Sequence, residues 1–138
     1  MFTQTRSPQQ SMSGMYHKVQ TDTGVETASP HRLVAMLFEG FFDACSQARG
    51  HSKSGNVEQK CRSLGRAARI VDEGLKAPLD LQGGGELAKD LRDLYAYVTV
   101  RLTHANLRND EAAIDECQQL LRPIQSAWNQ IGAQVAAS

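Results

Sequence analysis

Apolar residues recur at alternating three- and four-residue spacings through four segments of the chain, and this pattern predicts four amphipathic helices. In the first, Val34, Leu37, Phe38, Phe41, Cys45 and Ala48 fall on one stripe. Ser29 before Pro30 marks its start, because a hydroxyl can cap free backbone N–H groups and proline suits the first helical position. The helix is expected to run to about Arg49 and to end at Gly50, Ser52, Ser54 and Gly55. Asn56, with Gln59 three residues on, opens the second helix as a capping box. Val57, Cys61, Leu64, Ala68, Val71 and Leu75 form its seam, which stops before Pro78. A loop from Pro78 to Gly85 carries three consecutive glycines. The third helix follows with Leu87, Leu91, Leu94, Tyr95, Val98, Leu102 and Ala105 on one face. Asn109-Asp110 breaks that run and caps the fourth helix, whose seam is Ile114, Cys117, Leu121, Ile124, Trp128, Ile131 and Val135. Pro123 removes one backbone hydrogen bond and predicts a kink near Gln119 to Pro123. No stretch alternates as a strand would, so the expected fold is all-α, an antiparallel four-helix bundle.

The segment 1–28 differs in kind, since 12 of its residues are Ser, Thr or Gln. It reads as a flexible N-terminal arm, extended or with a short helix, ahead of a bundle domain at 29–138. Met12, Met15, Tyr16 and Val19 stand at i, i+3, i+4 and i+7, which is either one face of a short docking helix or accidental spacing in a disordered arm.

A bundle helix needs one apolar stripe, so apolar residues outside it ask for another partner. Projection at 100° per residue sets Met36 nearly opposite the first helix's core stripe and Phe42 on its edge. Ile70, Tyr97 and Val100 are likewise displaced from their seams. Together they suggest a groove for an amphipathic or disordered segment, which the Met12, Met15, Tyr16 and Val19 face could fill in cis.

Composition narrows the function further. The 138 residues hold 15 Lys+Arg and 15 Asp+Glu, which argues against a nucleic-acid binder. No apolar run reaches the roughly 18 to 20 residues of a membrane span and no signal peptide is legible, so the chain is expected to stay in the cytoplasm without membrane insertion. The zero net charge hides an asymmetry. The second helix has five basic against three acidic residues, and the fourth has one basic against four acidic. Pairing or solvated faces within the bundle is the first reading of this division, and an electrostatic partner site is the second.

Catalytic apparatus is not visible. No Glu-x-x-His pair offers a di-iron site, and His17, His31, His51 and His104 are scattered, so no metal or other cofactor is expected. Gly83-Gly84-Gly85-Glu86 lacks the ending of a P-loop and reads as a flexible turn. Cys45, Cys61 and Cys117 lie on core stripes as free, inert thiols. An enzyme built from His31, Asp43 and arginines stands only as a distant alternative.

Three strings, in order, resemble a known family. Glu26-Thr27-Ala28-Ser29-Pro30-His31-Arg32-Leu33 runs on to Leu37-Phe38-Glu39-Gly40. Gln82-Gly83-Gly84 is followed by Glu86-Leu87-Ala88, Leu91 and Leu94-Tyr95-Ala96-Tyr97. Arg101-Leu102, Ala105-Asn106, Asn109-Asp110 and Ala127-Trp128 complete the set. Over about residues 15 to 130 the chain resembles the flagellar secretion chaperone FliS family, differing in Met1 to Ser13, Gly85 and Pro123. The resemblance implies a four-helix export chaperone that holds the disordered C-terminal segment of flagellin, prevents its polymerisation in the cytosol and delivers it to the flagellar export apparatus. It implies also that the N-terminal segment can cover part of the binding surface. The sequence leaves open whether a co-chaperone docks on the basic face of the second helix and whether the free protein is a monomer or a weak homodimer. A regulatory adaptor using the same groove for another flagellar or signalling protein is the alternative.

Overall fold

The computed structural model describes residues 28–137, with side chains as far as Ala133. The Met12, Met15, Tyr16 and Val19 face lies outside the described residues. Four helices follow one another: α1 (Pro30–Lys53), α2 (Val57–Arg69) continued by a π-helix (Ile70–Lys76), α3 (Gly85–Arg108) and α4 (Glu111–Ala137). Among the described residues there is no strand. Each helix packs on two neighbours in the cyclic order α1, α2, α3, α4, so that α2 and α4 stand on a diagonal with no close backbone approach.

Local chemistry sets most of the boundaries. The Ser29 hydroxyl accepts from the Arg32 N–H at 3.1 Å with Pro30 at the first helical position, as expected. α1 outruns its expected end, passing through Gly50 to Lys53 because its real stop is local geometry at Ser54 and Gly55. The Ser54 hydroxyl donates to the Gly50 and His51 carbonyls at 3.2 Å, and Gly55 turns the chain with φ +74°. Asn56 caps α2 by accepting from the Gln59 N–H at 3.4 Å. The Asn56 N–H goes to the His51 carbonyl at 2.8 Å, so the capping box is made on one side. Asn109, at φ 53°, ends α3, and the Asp110 carboxylate accepts from the Ala113 N–H at 3.2 Å to start α4. α4 runs on through Pro123, which is exposed.

The glycine loop is an organised turn. The Asp80 carboxylate accepts from the N–H groups of Gln82 at 3.2 Å and Gly83 at 2.9 Å. A β-carbon on Gly84 would stand 2.7 Å from the Asp80 carbonyl oxygen, which excludes a side chain there.

The core is built from Leu37, Phe38 and Phe41 of α1, Leu64 and Val71 of α2, Val98 and Leu102 of α3, and Ile114 and Leu121 of α4. Three seam assignments need correction. Val57, Leu87 and Ile131 are 59%, 69% and 48% exposed, because each lies near a helix end with less of the bundle to pack against. Ile70 needs the opposite correction, being only 7% exposed inside the core cluster. The cause is the position of the seam, which runs through Ser63, Ala67, Ile70 and Gly74 at spacings of 4, 3 and 4, with Ala67 fully buried and the expected seam residue Ala68 only half-buried. The π-helix that follows, marked by the i→i+5 bond from the Ala77 N–H to the Asp72 carbonyl at 3.0 Å, keeps Ile70, Val71, Gly74 and Leu75 on that buried side. α1 comes close here, since a β-carbon on Gly40 would lie 3.3 Å from Ile70 Cδ1.

Among the described residues one charge is buried. Lys60 is 3% exposed, and its ammonium donates to the Asn106 carbonyl at 3.5 Å and to Asn109 Oδ1. A cation from α2 thus closes the carbonyl end of α3, where the helix dipole favours it. Lys60→Met keeps the stem but leaves both acceptors unsatisfied, and is expected to cost about 1–2 kcal/mol in denaturant unfolding. An unchanged midpoint would remove this role.

Candidate functional site

Solvent-facing apolar residues gather on α3. Val98, Leu102 and Ala105 point into the bundle, and about half a turn around the helix Val100 and Leu107 are 66% and 78% exposed. Tyr97, 45% exposed, flanks them, so that Tyr97, Val100 and Leu107 line the outer face of the second half of the helix. The first half of the same face is polar, with exposed Glu86, Lys89, Asp90 and Asp93. Val100 and Leu107, directly opposite a buried seam, contribute little to the bundle's own packing. Their face is surface available to another chain.

Of the five residues expected to form a groove, the structure brings only Tyr97 and Val100 together. Ile70 is interior, for the reason given above. Phe42 is half-buried on the α1–α4 side, with the Arg122 guanidinium 4.9 Å from its ring centroid and Phe41 edge-on at 5.0 Å. Met36, also half-buried, projects on the side of α1 that carries Gly40 and faces α2. α1 and α3 stand on the other diagonal, so Met36 and Phe42 sit on other faces of the bundle from Val100. Leu107 was missed, although its place seven residues after Val100, off the Leu102 and Ala105 seam, was legible.

Tyr97 is oriented by an ion-pair network across α3 and α4. Its hydroxyl donates to Glu116 Oε2 at 2.7 Å, while Arg101 Nε donates to Glu116 Oε1 at 2.8 Å. Arg101 also reaches Asp110 at 3.9 Å, as does His104. The bonds from Tyr97 and then from Arg101 hold the Glu116 carboxyl below its ordinary value, and the same bond raises the Tyr97 hydroxyl. Since the folded value is depressed, this stabilisation is complete above the ordinary 4.5 and is lost as the pH falls through the lowered value. Glu116→Gln is therefore expected to lower the melting temperature at neutral pH and to shrink its decline in acid. A decline as steep as the parent's would place the acid sensitivity elsewhere.

Asp115 of α4 also pairs next door. Arg49 of α1 donates to Asp115 at 3.3 Å and to Gln118 at 3.0 Å. Pairing inside the bundle therefore accounts for Asp110, Asp115 and Glu116, with α1 and α3, while Glu111 has no ion pair among the described residues. The excess on α2 is not cancelled by α4, because the two stand on the diagonal.

His31 does more than begin a helix. Its ring stacks on Trp128 at 4.5 Å with planes 1° apart, Nε2 lies 2.6 Å from the Trp128 carbonyl, and the indole N–H donates to the His31 carbonyl at 3.0 Å. A β-carbon at Gly132 would overlap the imidazole, so glycine there admits the stack. This clasp ties the point where residues 1–28 join the bundle to α4.

Chemistry is poorly served by these residues. Burial pushes the Cys45 and Cys117 thiols up to about 12, which removes the thiolate a nucleophile needs. Among the described residues no three His, Cys, Asp or Glu side chains are grouped to hold a metal ion, and no helix is long and apolar enough to cross a membrane.

Comparison with known proteins agrees with the strings in the sequence. The family model for flagellar protein FliS matches residues 12–135. The chain is 47% identical over 116 residues to the flagellar secretion chaperone FliS of Salmonella typhimurium, covering 84% of this chain and 86% of that protein. It is 37% identical to the protein of the same name from Escherichia coli, over 83% of this chain and 85% of the relative. With that of Vibrio cholerae it shares 36% over 84% and 85%.

Proposed function

The chain belongs to the flagellar protein FliS family, and we propose that it is an export chaperone for flagellin. It binds the disordered C-terminal region of flagellin in the cytosol, prevents premature polymerisation and delivers the client to the flagellar type III export apparatus. The observation that carries the client-binding part is the stripe of Tyr97, Val100 and Leu107, apolar, exposed and unused by the core.

Binding is coupled to folding. The client segment orders against the bundle and buries apolar side chains on the α3 stripe, then continues around the molecule past the half-buried Met36 and Phe42. Ordering a disordered segment costs about 2–5 kcal/mol of the contact energy, so tight binding needs a long path rather than one pocket. Apolar positions spread over several faces suit a client that wraps. Occupancy alone then keeps the polymerising segment out of reach, with no nucleotide or covalent step.

The N-terminal arm, residues 1–28, acts as a plug, its Met12, Met15, Tyr16 and Val19 face covering the client surface until the client displaces it. Size-exclusion chromatography of the full chain with a peptide copying a flagellin C-terminus tests the main reading. Co-elution is expected, and separate elution overturns it. Met12→Ser with Met15→Ser tests the plug, which predicts tighter client binding by calorimetry; equal or weaker binding excludes it.

A further inference from the structure

A second surface lies between α2 and α3, and its chemistry differs from that of the apolar stripe. Arg62, Arg66 and Arg69 stand at i, i+4 and i+7 on the solvent side of α2 and line an open groove of about 670 Å³. Gly65 and Ala68 lie between them and keep its floor low, and Thr99 of α3 also lines it. No atom stands within 4 Å of where a Gly65 β-carbon would be, so space there is free.

The positive charge of this groove is largely uncompensated. Arg66 and Arg69 have no ion pair among the described residues, and both are exposed. Arg62 reaches Glu58 at 2.9 Å, but these side chains are 70% and 75% exposed, a contact that exchanges with solvent at little cost. Asp72, the acid group in the lining, is engaged by Lys76 at 2.8 Å. Three planar guanidinium groups spread over about 10 Å of helix are suited to two or three carboxylates presented at similar spacing.

We infer that this groove docks a short acidic segment of a partner protein, apart from the client surface. The ends of the groove set the length. Glu58 lies beyond Arg62 and Glu73 beyond Arg69, so a longer polyanion would meet repulsion at both ends. The zero net charge of the chain also offers no long-range attraction to nucleic acid. Small residues on the floor favour close approach of a helical segment with carboxylates at i, i+4 and i+7.

The test uses a fluorescein-labelled alanine-rich peptide with glutamates at i, i+4 and i+7, and a control with glutamines at those positions, each titrated against the full chain by polarisation. The glutamate peptide is expected to bind, more weakly as salt rises, and the glutamine peptide not to bind. Arg66→Glu with Arg69→Glu, both at exposed positions, should weaken the acidic peptide by about tenfold or more. Equal binding of both peptides, or full retention by the double variant, overturns the inference. The flagellin peptide is expected to bind that variant as it binds the parent, and parallel loss of both ligands would overturn the separation of the two sites. If Asp22→Asn with Glu26→Gln in the full chain tightens acidic-peptide binding, the groove's occupant is the chain's own N-terminal segment and the outside partner falls.

Discussion

Replacing Val100 and Leu107 together by aspartate is expected to leave the bundle folded and to lower its affinity for a flagellin C-terminal peptide by about 100-fold or more. The side chains are 66% and 78% exposed and point away from Val98, Leu102 and Ala105, so the free protein does not depend on them. In the complex each aspartate would sit against an apolar client residue and lose its hydration without a partner. A hundredfold change corresponds to about 2.7 kcal/mol, well within the cost of burying two unpaired charges. Calorimetry gives the affinity and a thermal melt the fold. Unchanged affinity with an unchanged melt would remove the α3 stripe from the client path, and a lost melt would show that these residues serve the bundle after all.

Ile70→Ala is expected to do the reverse, lowering stability by about 2–4 kcal/mol while changing client affinity little in the molecules that remain folded. Ile70 is 7% exposed and packs where α1 passes closest, its Cδ1 facing the missing side chain of Gly40. Truncation removes buried methyl groups and leaves a void that two helices cannot easily close, one of them held in a π-turn. Denaturant unfolding reads the loss. A shift below about 0.5 kcal/mol, the range of ordinary surface substitutions, would return Ile70 to the surface. The two variants separate the readings of displaced apolar residues, one exposed and available, the other buried where α1 packs closest.

Much of the fold was legible because its causes are short-range. The cap at Ser29, the turn at Gly55, the stop at Asn109 and the restart at Asp110 each depend on a few neighbouring atoms. The seams were legible because burial on one side of a helix imposes its period on the chain. The candidate site was only half legible. Tyr97 and Val100 stand out by projection, but the same projection placed Ile70 off the seam, since it drew the seam through Ala68 where the bundle buries Ala67. It also let Val57 and Leu87 pass as core, because periodicity does not say where a neighbouring helix ends.

What the sequence determined by itself was four amphipathic helices, their caps and a family resemblance carried by ordered motifs. Each follows from local bonding or from the spacing of apolar side chains. Tertiary structure alone decided which charges cancel. α4 gives its carboxylates to Arg49 and Arg101 on adjacent helices, while the arginines of α2, across the diagonal, stay free of α4. It alone brought His31 to Trp128 over 97 residues and set Lys60 against the end of α3. Such contacts join groups far apart in the chain, and only the packing order of the helices specifies them.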